Sequence, residues 1–205
     1  MDFLQLDNHV MALLRSGRFR EAESELQRAR LQATDQSDSY TLERVLAELA
    51  HLYCLMQPPD FEKAAMYSLE RERVTASGQS KLQTAMMYYW SMHDPERAVQ
   101  KVQQAAAHAR NEEDTATVYQ CLALLGLALL DLGKSKEAAD VLLEMQSIIA
   151  ARKRIVAGDE TLLLERLSAK AGEDTQRVIK SIASTLWPIC RDAAFAARLK
   201  ALANE

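Results

Sequence analysis

Apolar residues recur at steps of three and four along nearly the whole chain, which is the period of an α-helix. Short polar breaks divide the pattern. Ser16-Gly17-Arg18 separates a first helix from one over about 19–34, and the cluster from Asp35 to Ser39 is a turn rich in N-capping side chains. The next helix reaches about 57, where Pro58-Pro59-Asp60 ends it and starts one over 61–75. Ala76-Ser77-Gly78 breaks the chain again before a helix over 80–92. Asp94-Pro95-Glu96 then combines a capping acid with a first-turn proline and opens a helix to about 110. Asn111 to Asp114 turns into a helix over 115–132, and Gly133-Lys134-Ser135 into one over 136–153. After Gly158-Asp159 the pattern predicts helices over 160–171, 174–187 and 189–203, divided by Gly172-Glu173-Asp174 and Pro188. The expectation is eleven helices and no strand.

The helices repeat in pairs. Four of them open with a charged residue followed by alanine, and these alanines, Ala22, Ala64, Ala98 and Ala138, stand 42, 34 and 40 residues apart. A period in that range, with one helical hairpin per unit, marks a solenoid. No hairpin buries its apolar face alone, so neighbours must stack.

The fourth unit carries the pattern best, with Leu122, Leu125-Gly126, Leu129, Gly133, Glu137-Ala138, Leu142 and Met145. The first fits through Leu13, Gly17, Phe19, Glu21-Ala22, Leu26 and Ala29. The third is partial, and in the second Pro58-Pro59 replaces the usual glycine. These residues resemble the tetratricopeptide repeat (TPR) family. The resemblance implies an all-α fold of antiparallel helical hairpins stacked as a right-handed superhelix, an α-solenoid. It implies a repeat region over 1–155 with about four hairpins. Residues 156–205 are then a C-terminal extension of about three helices packing on the solenoid.

Composition narrows the function classes. Net charge is −4 with both signs interspersed, which lacks the basic footprint of a nucleic-acid binder. The longest apolar stretch, Cys121 to Leu130, is too short to span a membrane, and the N-terminus has an acid where a signal peptide needs bases. Three separated cysteines and four scattered histidines form no metal or disulfide pattern. His51 lies near Glu48 and His108 near Glu112 at the spacing of surface pairs. The charge runs Glu70-Arg71-Glu72-Arg73 and Arg152-Lys153-Arg154 read as solvated faces. No nucleophile elbow, phosphate loop or dinucleotide fingerprint is present. The expectation is a cytoplasmic protein that is not an enzyme, with no cofactor, metal, nucleic-acid or membrane partner.

In the family the first helix of each hairpin lines the concave face. The resemblance therefore implies a groove formed by Met11, Leu14, Tyr53, Met56, Met87, Trp90, Leu127 and Leu130. Methionine repacks readily, and aromatics supply area with a polar tip, so such a groove suits a helix or peptide of a protein partner. The chaperone-tail clamp of the family needs Lys, Arg and Asn on this face, which is excluded by Met11, Tyr53 and Met87. The expected function is a protein–protein interaction adaptor or scaffold. Two alternatives remain open: a structural homo-oligomer (a homodimer being the simplest) whose apolar faces pair, and a sensory TPR domain of a transcription or signalling system. The apolar face of Val178, Ile179, Ile182 and Leu186 could also fill the groove from within the chain.

Overall fold

In the computed structural model of the chain, residues 3–151, 159–169, 172–190 and 192–204 are described. All regular elements among them are helical: α1 (Phe3–Arg15), α2 (Phe19–Asp35), α3 (Ser39–Leu55), α4 (Phe61–Val74), α5 (Gly78–Met86), α6 (Pro95–Asn111), α7 (Thr115–Asp131), α8 (Ser135–Ala151), α9 (Asp159–Ser168), α10 (Glu173–Leu186) and α11 (Ala193–Asn204). A π-helical turn, Met87–Ser91, extends α5, and a 3-10 turn, Trp187–Ile189, follows α10.

The chain forms two compact units, residues 1–80 and 81–205, whose boundary falls within α5. In the first unit α2 packs on α1 and α3, and α3 packs on α4. In the second, α7 packs against α6, α8 and α9, while α10 packs against α8, α9 and α11. The expected boundary at 155/156 and the run Arg152–Arg154 lie outside the described residues.

Helix starts follow from capping chemistry. Asp38, Asp60, Asp94 and Asp114 each accept the backbone N–H three residues on, at 3.0–3.1 Å. Such caps satisfy N–H groups that a helix leaves orphaned. The same logic moves two predicted boundaries. The Ser77 hydroxyl accepts the Ser80 N–H at 3.1 Å, so α5 starts at Gly78 rather than at residue 80. The Asp192 carboxylate accepts N–H groups of Ala194 and Phe195, so α11 starts at Ala193 rather than at 189.

Helix ends follow from left-handed turns. Gly17 and Gly133 take φ of 73° and 74°, and Ser37 and Glu113 take 54° and 56°. Each turn closes when an N–H reaches a carbonyl five residues back, at 2.9 Å: Arg18 to Leu13, Asp38 to Ala33, Asp114 to Ala109 and Lys134 to Leu129. The turn after α5, where His93 has φ 52°, spans one residue more, from Asp94 to Tyr88. The extra residue is the π-helical turn, in which the Met92 N–H bonds Met87 O at 3.1 Å.

The repeat is visible in the packing. Ala22, Ala64, Ala98 and Ala138 are each the fourth residue of the second helix of a hairpin, and all are fully buried. Polar side chains join equivalent helices of adjacent hairpins. Arg30 bonds Glu70 and Gln27 bonds Tyr67, both 40 residues apart. Arg110 bonds Glu144 at a separation of 34, and Gln146 bonds Ser181 at 35. Arg166 bonds Asp131 at 35 and Arg198 bonds Glu165 at 33. These separations match the repeat period. They continue through α9 and α10, which form a fifth hairpin, and into α11. The close approach of α9 to α7 depends on Gly126: a Cβ there would lie 2.6 and 2.8 Å from the Leu163 methyl carbons.

Candidate partner-binding surface

In the second unit the expected site residues divide between surface and core. Trp90 is 41% exposed. Met87 and Leu130 are half-buried, whereas Leu127 is 0% exposed within the packed body of α7. Between Lys81 and Ser91 the exposed positions are Gln83, Met86 and Trp90. Met86, 36% exposed, was not among the residues expected from sequence, which selected Met87 instead.

Trp90 is held from behind. Its ring meets Tyr89 edge-on, with centroids 4.6 Å apart and planes at 81°. Such T-shaped pairs place a positive ring edge on a negative ring face. The Tyr89 hydroxyl donates to Asp131 at 2.6 Å, and the Arg166 guanidinium donates to the Tyr89 oxygen at 3.2 Å and to Asp131. Burial and the Asp131 bond push the Tyr89 hydroxyl up to about 12, so it stays a donor at neutral pH. Burial acts to raise the Asp131 carboxyl, but hydrogen bonds from Arg166 and Tyr89 outweigh it and hold the group below the usual range. Asp131 is the last residue of α7, and Arg166 lies in the last turn of α9, where a cation meets the negative end of the helix dipole.

In the first unit Tyr53 is a core residue, 2% exposed and stacked on Tyr67 with centroids 5.5 Å apart. Its hydroxyl donates to Glu23, and the Lys63 ammonium lies 4.9 Å from its ring centroid. Burial first, then the Glu23 bond, raises its pKa far above the ordinary tyrosine value. Leu14 is buried, and Met11 and Met56 are half-buried. The exposed edge of α3 instead carries Tyr40, Arg44, His51 and Leu55, with the Arg44 guanidinium 5.7 Å from the Tyr40 centroid. The α3 alignment from the family pattern is out of phase with the solvent face by part of a turn, and no single residue in the sequence marks that offset.

The run Glu70–Arg73 is not simply solvated. Glu70 pairs with Arg30 at 2.7 Å, and Arg71 pairs with Glu43 across α3 and α4 with both side chains mostly buried. His108 lies 3.6 Å from Glu112, as its spacing predicts. The face of α10 that could have filled a groove is buried through Ile179, Ile182 and Leu186, in a helix that packs on α8, α9 and α11. Among the described residues no group of three His, Cys, Asp or Glu side chains could hold a metal ion, and no helix is long and apolar enough to cross a membrane.

Solved structures share this architecture. The chain is similar to BtubC (BKLC) from P. vanneervenii, with TM-score 0.67 and 19% identity over 98% of this chain and 80% of that one. It is similar to a Podosopora anserina protein of kinesin light chain type with nearly identical TPR-like repeats, with TM-score 0.63 and 14% identity over 94% of this chain and 100% of that one. A single-substitution form of that protein gives 0.61 and 15%, over 97% and 92%. No protein-family model matches the chain, and no curated protein does. At these identities the likeness shows the fold: an all-α, TPR-like helical repeat.

Proposed function

We propose that this chain is a protein–protein interaction adaptor that binds a helix or peptide of a partner on the first-helix face of its second unit, with Trp90 at the centre of the contact. TPR-like folds generally mediate protein interactions, which supports the class of function. The observation that carries the reading is an exposed tryptophan fixed by Tyr89, beside exposed Met86. Binding hot spots favour Trp, Tyr and Arg, and a side chain already fixed loses little entropy on docking. Met87 and Leu130, half-buried, are the proposed flanks of this contact; Met11 and Met56 are proposed as a lesser contact within the first unit. Tyr53, Leu14 and Leu127 act through the core that supports these surfaces. A cytoplasmic scaffold without catalysis fits this reading.

The test compares wild type with a Trp90→Ser/Met86→Ser double variant in partner capture from source lysate. Circular dichroism first establishes that the variant is folded. Loss of the captured partner with a native spectrum is the expected result. Undiminished capture by the folded variant contradicts the reading.

Self-pairing is the second reading. Phe61, Met66 and Leu69 on α4 are 37%, 49% and 39% exposed, and this apolar set favours it. Sedimentation over a concentration series separates the two, since a constant monomer mass excludes self-pairing.

A further inference from the structure

We infer that the first unit holds a small-molecule site between α1, α2 and the start of α3, which takes a protonated organic amine on a compact apolar body of about six carbons. It rests on different residues from the interaction reading above and stands or falls without it.

The floor of the site is apolar. Leu6 of α1 and Ala33 of α2 are buried, Ala29 of α2 is half-buried, and the three line a cavity of about 140 Å³. The two alanines leave space that a longer side chain would take. An apolar cavity of about 150 Å³ accepts benzene, so this one suits a six-membered ring or a branched chain of that size.

The lining sets the charge. It carries two carboxylates, Glu25 and Asp38, against one guanidinium, Arg28. Arg28 is largely exposed and lies 3.2 Å from Glu25, which it offsets. Asp38 is left over. Hydrogen bonds from Thr41, side chain first and backbone N–H second, hold the Asp38 carboxyl below its usual range, so it is ionised at neutral pH. Two helix ends meet here with opposite signs. The end of α2, where Gln32 and Gln36 also line the cavity, is negative and has no basic residue in its last turn, whereas the start of α3 at Asp38 is positive. At about half a charge each, the two ends offset one another, and the lining keeps a net charge of about −1. Residues 1–80 as a whole carry thirteen acids and nine Lys or Arg, so the surrounding field has the same sign.

That combination selects the ligand. An anion is repelled by the net charge, and a neutral ring gains the floor without the charge. A metal ion needs several oxygen or nitrogen ligands converging on one point, and among the described residues no group of three His, Cys, Asp or Glu side chains could hold one. A protonated amine gains from both features. Its apolar body covers Leu6, Ala29 and Ala33, while its charge stays beside half-buried Glu25 and Asp38, still in reach of water.

NMR titration of the isotope-labelled full chain tests the inference. Benzylamine, benzyl alcohol and benzoate, one ring with three charges, are added in turn at neutral pH and low salt. Benzylamine is expected to shift the Leu6, Ala29 and Ala33 amides together and to saturate, with affinity at least about fivefold above benzyl alcohol and with benzoate weakest. About fivefold is what one charge at contact distance supplies even at the dielectric constant of water. Added salt is expected to narrow the gap. Glu25→Gln, which releases Arg28 as an uncancelled cation, is expected to abolish the preference, and Arg28→Gln to widen it. Ala29→Leu fills the floor and is expected to abolish saturable shifts from benzylamine and benzyl alcohol alike. Circular dichroism establishes that each variant is folded, and a folding failure of Ala29→Leu leaves the two charge variants to decide.

Equal or tighter binding of benzyl alcohol or benzoate overturns the inference, as does a preference for benzylamine that survives Glu25→Gln. Absence of saturable shifts at the three amides, or the same shifts in folded Ala29→Leu, removes the site. Equal or tighter binding of N-acetyl-lysine methylamide overturns the free amine in favour of a lysine side chain on a partner.

Discussion

Replacing Gly126 by alanine places a carbon 2.6 and 2.8 Å from the methyl carbons of Leu163, well inside contact distance. Two effects oppose each other. Alanine in place of glycine favours a helix interior by about 1 kcal/mol. Overpacking a filled core costs about 1–3 kcal/mol. Leu163 is fully buried, so its methyls have no solvent side toward which to retreat. The steric term therefore wins, and Gly126→Ala is expected to destabilise by about 1 kcal/mol net, on the order of 2–4 °C in a chain of this size. Leu163→Ala alone leaves a cavity and costs about 2–5 kcal/mol. In the double variant the new methyl at 126 enters the space left by Leu163. The two changes should then couple favourably by about 0.5–3 kcal/mol. Urea unfolding of the four proteins, followed by far-UV circular dichroism, completes the cycle. Additive losses, or a Gly126→Ala chain as stable as wild type, would refute the packing of α9 on α7.

Glu113 occupies a left-handed turn position at φ 56°, a conformation that costs a side-chain-bearing residue about 1–2 kcal/mol. Glu113→Gly should raise the melting temperature, by a net of about 0.5–1 kcal/mol after glycine's entropy cost, and a lowered value argues against the turn. Among the described residues the buried Tyr119 hydroxyl has no hydrogen-bond partner, so Tyr119→Phe should leave stability unchanged or raised; a loss above about 1 kcal/mol contradicts this. Burial, aided by Asp7, raises the Glu48 carboxyl above its ordinary range. The folded chain then binds that proton more tightly than the unfolded chain does. The stabilisation is full below the unfolded value and is lost as pH rises through the raised folded value. Glu48→Gln should melt higher than wild type at neutral pH, and the difference should vanish below about pH 4 in thermal melts at both pH values. A lower melting temperature at neutral pH contradicts this.

Much of the fold is legible because its signals are local. Gly17 and Gly133 mark left-handed turns, Asp38 and Asp94 mark caps, and the buried alanines mark where paired helices close on each other. The fifth hairpin is hidden because the fourth residue of α10 is Gln176, not alanine. Its side-chain amide bonds the Ser168 carbonyl at 2.8 Å, so a polar contact replaces the methyl marker. Ser37, His93 and Glu113 turn the chain as glycine does, with no compositional sign. The exposed face is least legible. Met86 stands four residues and Met87 three residues before Trp90, so helical spacing alone allows either methionine beside it, and only the packed structure shows that Met86 is the exposed one. On α7, which leaves only Ala116, Gln120 and the terminal Asp131 exposed, burial comes from α6 and α8 together with α9, which arrives from later in the chain.

The claim that Trp90 is surface while Leu127 is core is tested most directly by thermal unfolding of Trp90→Ser beside Leu127→Ser. Leu127→Ser removes a fully buried side chain and buries a hydroxyl, at about 3–5 kcal/mol. Trp90→Ser gives up an edge contact on a partly exposed ring, at about 1–2 kcal/mol. A melting temperature depressed at least twice as far by Leu127→Ser is the predicted result. Equal losses, or a larger loss from Trp90→Ser, would contradict it by making Trp90 part of the core.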